Sequence, residues 1–157
     1  MSYQILRIHK DDPRSWGLMP WLFARIYKFS DTHDSTWTPN EMCTLVQNAF
    51  VWNSPFLGLW AAVNDDGMIG GHLLATAEPW GQDQLRYVLI RQAEVDRRLD
   101  VGDCVHQAFG LCETWAQSLG LNKIMMVTHR NPKAFRRAWG FTQTKVVMEK
   151  NLDAPMV

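Results

Sequence analysis

Three strand-forming segments follow one another in the middle of the sequence, and they constrain the fold more than any other part of it. Leu57 to Val63 and Met68 to Ala77 are apolar and are joined by turn residues that end in Gly67, so they predict a β-hairpin. Leu85 to Val95 predicts a third, long strand, and its apolar residues on both faces are typical of a central strand. The sequence therefore predicts an antiparallel meander.

Two finer expectations concern these strands. Gly70 and Gly71 indicate a β-bulge or a close approach of two backbones. Unbroken alternation along the third strand places its side chains on two faces. The first face is predicted to hold Leu85, Tyr87, Leu89, Arg91, Ala93 and Val95, and the second Val88 and Ile90.

The segments after the meander alternate between helix and strand. Apolar residues from Val105 to Leu119 recur at helical spacing, and Gly120 stands where a helix C-cap belongs. Lys123 to Thr128 predicts a buried strand, residues Asn131 to Trp139 a short helix, and Thr142 to Leu152 a last strand. A strand–helix–strand unit after a meander implies a mixed sheet with helices on its faces.

The N-terminal third supplies one strand and two helices. Tyr3 to Ile8 alternates like a strand, and Leu18 to Phe29 has helical spacing, although Gly17 and Pro20 obscure where that helix begins. Thr38-Pro39-Asn40-Glu41 is a capping box that starts the second helix, which ends before Asn53. The predicted order is β-α-α-β-β-β-α-β-α-β in one α/β domain spanning residues 1–157.

Size and composition exclude several classes of protein. A chain of 157 residues suits one domain, and a hydrophobic content of 46% supports a core. Sixteen basic and sixteen acidic residues give no net charge, so no nucleic-acid or anionic membrane partner is expected. No apolar run is long enough to span a membrane, and the start lacks signal-peptide features. Three cysteines without metal-ligand spacing favour a reducing, cytoplasmic location and predict no metal site.

Eight tryptophans are many for a chain of this length. Tryptophan is a large core residue, but its indole N–H needs a partner and it is enriched at protein interfaces. Two interpretations stay open: a core rich in tryptophan, or a surface on which some of these rings bind a protein partner. A homo-oligomer is compatible with the second interpretation.

From Leu57 to Leu152 the sequence resembles the GCN5-related N-acetyltransferase (GNAT) superfamily. The resemblance rests on the hairpin and long third strand, the Gly102 turn, the helix that ends in Gly120, and the short helix from Asn131 to Trp139-Gly140-Phe141. It implies a mixed, mostly antiparallel sheet with helices on both faces. It also implies acetyl-CoA between the fourth and fifth strands as the cofactor of an active member.

In this family the turn between the fourth strand and the third helix binds the pyrophosphate of acetyl-CoA through backbone N–H groups and a helix N-terminus. The resemblance therefore implies a cofactor site in and around that turn. Its residues here are Val95, Arg97, Arg98, Gly102, Asp103, Cys104, Val105 and Asn131. Val95 would hold the acetyl carbonyl through its backbone.

This stretch departs from the family pattern Gln/Arg-x-x-Gly-x-Gly/Ala. Gly102 is kept, but Leu99 replaces the cation or amide, and Cys104 replaces the second small residue. Asp100 and Asp103 place carboxylates beside the phosphate position. Asp103 can instead be a helix cap that occupies the anion site with its own carboxylate. The pattern predicts an eroded acetyl-CoA motif.

Catalytic residues are sparse. Glu94, at the end of the fourth strand, is the candidate general base, and Asp96 is the second choice. The tyrosine that often serves as general acid in the family has Arg136 in its place. His72 and His129 are interpreted as structural, and Cys104 and Cys112 as small core residues rather than nucleophiles.

Two functions follow from the resemblance. One is an N-acyltransferase that moves an acetyl group from acetyl-CoA to an amine. The other is a GNAT-like domain with a degenerate site that acts as a binding or structural module, as among bacteriophage virion proteins. The eroded turn and the tryptophans favour the second, with a protein partner and, for a phage protein, a place in the virion. Fold alone does not choose between them.

Overall fold

A computed structural model describes residues 2–33, 37–82, 84–127, 132–143 and 150. The chain divides into two compact units, Met1–Val127 and Thr128–Val157. The first unit contains nearly all of the described secondary structure. One domain spanning residues 1–157 stays a prediction.

The first unit is a five-stranded sheet with three helices. Its strands lie in sequence order, with the first four antiparallel and the last pair parallel. The elements are β1 (Tyr3–Arg7), α1 (Pro13–Thr32), α2 (Pro39–Val51), β2 (Leu57–Asn64), β3 (Ile69–Glu78), β4 (Tyr87–Val95), α3 (Cys104–Ser118) and β5 (Ile124–Met126). The predicted order and the mixed, mostly antiparallel sheet are confirmed over this stretch.

The start of α1, which the sequence left open, lies before the obscuring residues. Asp12 is the N-cap, and its side chain accepts a hydrogen bond from the Arg14 N–H at 3.0 Å. Pro13 takes the first helical position, where its missing N–H costs nothing. Pro20 lies inside the helix on its exposed side.

The capping box at the start of α2 is confirmed. The Glu41 N–H donates to the Thr38 hydroxyl at 3.2 Å, and the Thr38 N–H donates to the Glu41 carboxylate at 2.8 Å. The predicted apolar stripe is buried throughout. Its members are Met42, Leu45, Val46 and Ala49.

The two adjacent glycines of β3 serve both predicted purposes. The register between β2 and β3 shifts opposite Gly70, which is therefore a bulge. A Cβ at Gly71 would lie 2.6 Å from the backbone oxygen of Glu94, and one at Gly70 would lie 2.8 Å from the Tyr3 ring. Side chains here would push β3 away from its neighbours.

A second bulge in β4 overturns the prediction of unbroken alternation. Ala75 pairs with Ile90 and Leu74 pairs with Gln92, so Arg91 is an extra residue without a partner on β3. The extra residue reverses the pleat beyond it. Gln92 and Glu94 therefore lie on the face of Leu89, whereas Ala93 and Val95 lie on the face of Ile90.

Helices cover both faces of the sheet, as predicted. Leu59 and Leu74 join the buried cluster that contains the apolar stripes of α1 and α2. Trp60 points to the opposite face because side chains alternate along β2. Its ring there packs edge-on against Trp115 of α3, with centroids 5.7 Å apart. The bulge in β4 thus aims Glu94 toward α1.

The second unit contains one described helix, α4 (Pro132–Trp139). The Phe135 ring packs against the Trp139 ring at 5.4 Å between centroids, and Gly140 has a φ of +71°. These features agree with the short helix predicted there. The last predicted strand falls mostly outside the described residues.

Candidate functional site

The sheet opens where β4 passes its bulge. β5 pairs only with Val88, Leu89 and Ile90, the three residues before Arg91. Within the described ranges, the half of β4 from Gln92 to Val95 has no strand beside it on the β5 side. In the described part of the chain, this edge of β4 is therefore unpaired from Gln92 to Val95.

The direction of the backbone groups follows from the register. The Asp96 N–H donates to the Gly70 oxygen at 2.8 Å, so Asp96 faces β3. In an antiparallel ladder alternate residues face alternate sides. The N–H groups of Ala93 and Val95 therefore point away from β3, into the opening. This is the direction that the predicted role of Val95 requires.

Residues 96–103, called the β4–α3 turn from here on, begin with a closed ion pair. The Asp96 carboxylate accepts hydrogen bonds from the backbone N–H of Arg98 at 3.0 Å and from its guanidinium at 3.0 and 2.9 Å. These hydrogen bonds lower the pKa of Asp96 to about 2. Both Arg97 and Arg98 are exposed, but the Arg98 guanidinium is already paired with Asp96 within the turn.

Gly102 gives the turn its shape. Its φ of +58° lies in the left-handed region, and its N–H donates to the Asp100 side chain at 3.0 Å. A Cβ at Gly102 would meet nothing within 4 Å. Backbone conformation, rather than lack of space, therefore favours glycine at this position.

The N-terminus of α3 is not capped by Asp103, contrary to the hypothesis that its carboxylate fills the anion site. Asp103 is the N-cap residue, but its side chain makes no capping hydrogen bond. Its φ of −80° and ψ of 4° lie outside the extended region usual for a capping side chain. The first-turn N–H groups are therefore not occupied by this carboxylate.

Cys104 is a packing residue, as predicted. Its side chain is buried, and its Sγ lies 3.4 Å from the Tyr3 oxygen. Burial, followed by the nearby Asp103 charge, raises the pKa of the thiol. The backbone N–H of Cys104 donates to the Val101 oxygen at 3.2 Å, and this cysteine is no activated nucleophile.

Glu94 lies in an ion pair that joins three elements. Arg25 of α1 donates to both carboxylate oxygens of Glu94, at 3.0 and 2.7 Å. The His72 Nδ1 lies 3.1 Å from the same carboxylate. Burial raises the pKa of Glu94, but the hydrogen bond from His72 and the charges of His72 and Arg25 outweigh it, so the pKa is lowered.

His72 is fully partnered, as predicted for a structural histidine. The Gln92 amide nitrogen donates to the Ile26 oxygen at 3.2 Å and to the Ser30 hydroxyl at 2.9 Å, which fixes the orientation of that amide. Its oxygen then faces the His72 Nε2 at 2.8 Å. Both ring nitrogens of His72 therefore lie within hydrogen-bond distance of a side-chain oxygen.

The sequence analysis missed a second buried pair, at the β4 bulge. The Arg91 guanidinium donates to the Thr76 hydroxyl at 2.7 Å and to the Glu78 carboxylate. It also lies over the Trp37 ring, 5.0 Å from the centroid. The only signal in the sequence was that Glu78 and Arg91 are charged residues inside apolar strand patterns. Their pairing can be inferred only when the register between β3 and β4 is known.

Several expectations concern residues elsewhere. Asn131 and His129 lie outside the described residues, and Arg136 is exposed on α4. No group of three or more acidic, histidine or cysteine side chains in the described part of the chain is placed to hold a metal ion. Among the helices of that same part, none is long and apolar enough to cross a membrane.

Comparison with solved structures identifies the architecture. The chain is similar to an aminoglycoside acetyltransferase from an uncultured soil metagenomic sample, with 15% identity, a TM-score of 0.65, and coverage of 99% of this chain and 100% of that one. It is also similar to a predicted acetyltransferase with acetyl-CoA from Clostridium acetobutylicum, with 13% identity, a TM-score of 0.66, and 95% and 96% coverage. A third similar structure is glucosamine-6-phosphate N-acetyltransferase from Arabidopsis thaliana, with 14% identity, a TM-score of 0.62, and coverage of 98% of this chain and 100% of that one.

The chain has the GNAT fold. No protein-family model matches its sequence, and no curated protein matches it. The fold class predicted from the sequence is confirmed, and the identities of 13–15% carry the likeness no further than the fold.

Proposed function

We propose that this chain binds acetyl-CoA at the β4–α3 turn and transfers its acetyl group to an amine. The observation that carries the proposal is the N-terminus of α3, which the Asp103 side chain does not cap, beside the turn that follows the unpaired edge of β4. Acetyl-CoA would supply an activated thioester. The similarity to acetyltransferase structures supports the same reading.

The turn fits the cofactor through its backbone more than through its charges. A 15-residue helix directs the positive end of its dipole at an anion, although the Cys104 N–H already donates to the Val101 oxygen at 3.2 Å. Exposed Arg97 adds a cation that would attract the phosphates of the cofactor. The carboxylates of Asp100 and Asp103 would repel them. Asp100 also holds the Gly102 N–H. We therefore expect weaker binding than an unopposed phosphate loop would give.

The roles of the β4 residues follow from their directions. The N–H groups of Ala93 and Val95 point into the opening and would hold a carbonyl oxygen. Glu94 faces α1 and its pKa is lowered, so it is a weak proton acceptor while paired with Arg25. We propose that Glu94 mainly positions β4, and that the amine reacts in its neutral form.

A second candidate function is an interaction module that binds no cofactor. One specific observation favours it: the Asp100 carboxylate already occupies the Gly102 N–H, which a phosphate would otherwise use. In that case the GNAT fold would serve as a scaffold for a protein partner.

Calorimetric titration with acetyl-CoA separates the two functions. Under the proposal, acetyl-CoA binds with one site per chain, and Gly102→Ala weakens binding about tenfold because the left-handed φ of this residue becomes unfavourable. Gly81→Ala is the matched control, since Gly81 also has a positive φ, +76°, but lies beyond the far end of β3. It should leave the affinity unchanged.

Each other outcome has a defined meaning. An absence of heat at millimolar acetyl-CoA would contradict the proposal and leave the interaction module. Binding that Gly102→Ala and Gly81→Ala weaken equally would place the cofactor elsewhere. Binding without acetyl transfer to any simple amine would retain the cofactor site and reject the transferase.

A further inference from the structure

The outer face of α1 is apolar and exposed over most of its length. The exposed residues between Trp16 and Tyr27 carry no charge: they are Trp16, Gly17, Pro20, Trp21, Ala24 and Tyr27. Trp16, Trp21 and Tyr27 expose 51%, 69% and 45% of their surface. Charged residues normally occupy the solvent side of a surface helix, so this face departs from the rule.

Helical spacing arranges the small and the aromatic side chains of this face in separate rows. Gly17, Pro20 and Ala24 follow one another at intervals of three and four residues, so they form one stripe of small side chains along the helix. Trp16 and Tyr27 lie on one flank of the stripe, and Trp21 lies on the other. The stripe between these rings therefore forms a trough. A Cβ at Gly17 would meet nothing within 4 Å, so the floor of the trough is open.

We propose that this trough, lined by Trp16, Gly17, Pro20, Trp21, Ala24 and Tyr27, binds the same face of a second copy of the chain. In an antiparallel pair of α1 helices related by a two-fold axis near Pro20 and Trp21, the Trp21 ring of each copy enters the trough of the other. Gly17 of each copy then faces Ala24 of the other. A two-fold interface requires this kind of self-complementarity.

The charge pattern favours a second copy over a different partner. A face of one charge repels its own copy, and a face of mixed charge needs an exact match across the two-fold axis. Between Trp16 and Tyr27 this face carries no charge, so two copies meet there without repulsion, and the exposed charges of Arg14 and Lys28 lie at the rim.

The available area is compatible with a dimer. Trp52 and Val51, at the end of α2, are 81% and 42% exposed, and the Phe50 ring beside them contacts Trp16 at 4.8 Å between centroids. With Trp16, Trp21 and Tyr27 they can bury roughly 500 Å² of side-chain surface. A standard interface needs about 800 Å² per partner. The rim must supply the rest, so a dimer of moderate affinity is expected.

Sedimentation equilibrium of the full chain, from low micromolar to several hundred micromolar, tests the proposal. The mass should double as the concentration rises. Ala24→Arg places a charge on the floor of the trough at an exposed helical position and should keep the chain monomeric. Gln117→Arg is the matched control, because Gln117 is exposed on α3, and it should dimerise like the parent.

A parent chain that stays monomeric throughout would overturn the proposal. So would a dimer that Ala24→Arg leaves intact, because the interface would then lie elsewhere. A cross-linking experiment covers the case in which Ala24→Arg fails to fold. Pro20→Cys removes a residue unfavourable inside a helix, and a short bis-maleimide reagent should join its two copies. Equal cross-linking of Gln117→Cys or of the parent chain would also contradict the proposed interface.

Discussion

Charged residues gather in two regions at the end of β4, and the two regions use them differently. The network of Arg25, His72 and Glu94 lies between the sheet and α1, and its polar groups are partnered by one another and by Gln92. The β4–α3 turn is largely exposed, and the Asp103 side chain does not cap the helix N-terminus that follows it. We expect charge in the first region to stabilise the fold, whereas the second is where we propose that an anion binds.

The difference also changes where chemistry is expected. Glu94 resembles a catalytic carboxylate in the sequence because it ends a strand beside the opening. In the structure its carboxylate is paired with Arg25 and lies beside His72, and its pKa is lowered. A carboxylate in such a setting is a poor proton acceptor. The uncharged N–H groups of the opening and of α3 are better placed for a ligand.

The largest expected effect comes from breaking the buried network. His72→Leu removes the ring that contacts Glu94, which keeps Arg25, and the buried Gln92 amide oxygen, which loses its His72 partner. We expect the free energy of unfolding to fall by about 2 to 3 kcal/mol. Urea denaturation at pH 7 measures this change.

The matched substitution in the turn is Asp103→Asn, which should change the free energy of unfolding by less than about 0.5 kcal/mol because no capping bond is lost. Equal losses for the two variants would contradict the contrast between the regions. His33→Leu, at an exposed histidine of the α1 C-cap, controls for the loss of an imidazole.

A smaller effect is the dependence of the free energy of unfolding on pH. The folded-state pKa of Glu94 lies below its usual value of 4.5, so its ionised form stabilises the protein above about pH 4.5. That contribution is lost as the pH falls through the folded-state pKa. Asp96 behaves in the same sense, with a folded-state pKa of about 2.

Salt distinguishes the two carboxylates. Asp96 and Arg98 form an exposed pair that salt screens, whereas the Glu94 pair is partly buried. At high salt, the free energy of unfolding of the parent chain should still fall between pH 5 and pH 3. In Glu94→Gln most of this fall should be absent. An unchanged profile for this variant would show that Glu94 is not linked to folding in this way.

The sequence was sufficient where local chemistry decides the structure. The capping box of Thr38 and Glu41, the turn at Gly67 and the helix stop at Gly120 depend on neighbouring residues, and each is found as predicted. Both glycines of the Gly70–Gly71 pair also have the roles that were expected.

Features that depend on distant partners could not be predicted. The bulge at Arg91 exists only relative to β3, yet it decides which side of the sheet Glu94 faces. The Arg25–Glu94 pair joins residues 69 positions apart. Asp103 was wrongly given a capping role because residue type at a helix start does not fix the backbone conformation that capping needs.

Hydrogen exchange with and without acetyl-CoA tests most directly whether the ligand site is the turn rather than the buried network. With the ligand present, amides from Ala93 to Gln107 should exchange more slowly, and amides around His72 and within α1 should be unchanged. Protection confined to α1 and His72, or none at saturating acetyl-CoA, would contradict the account.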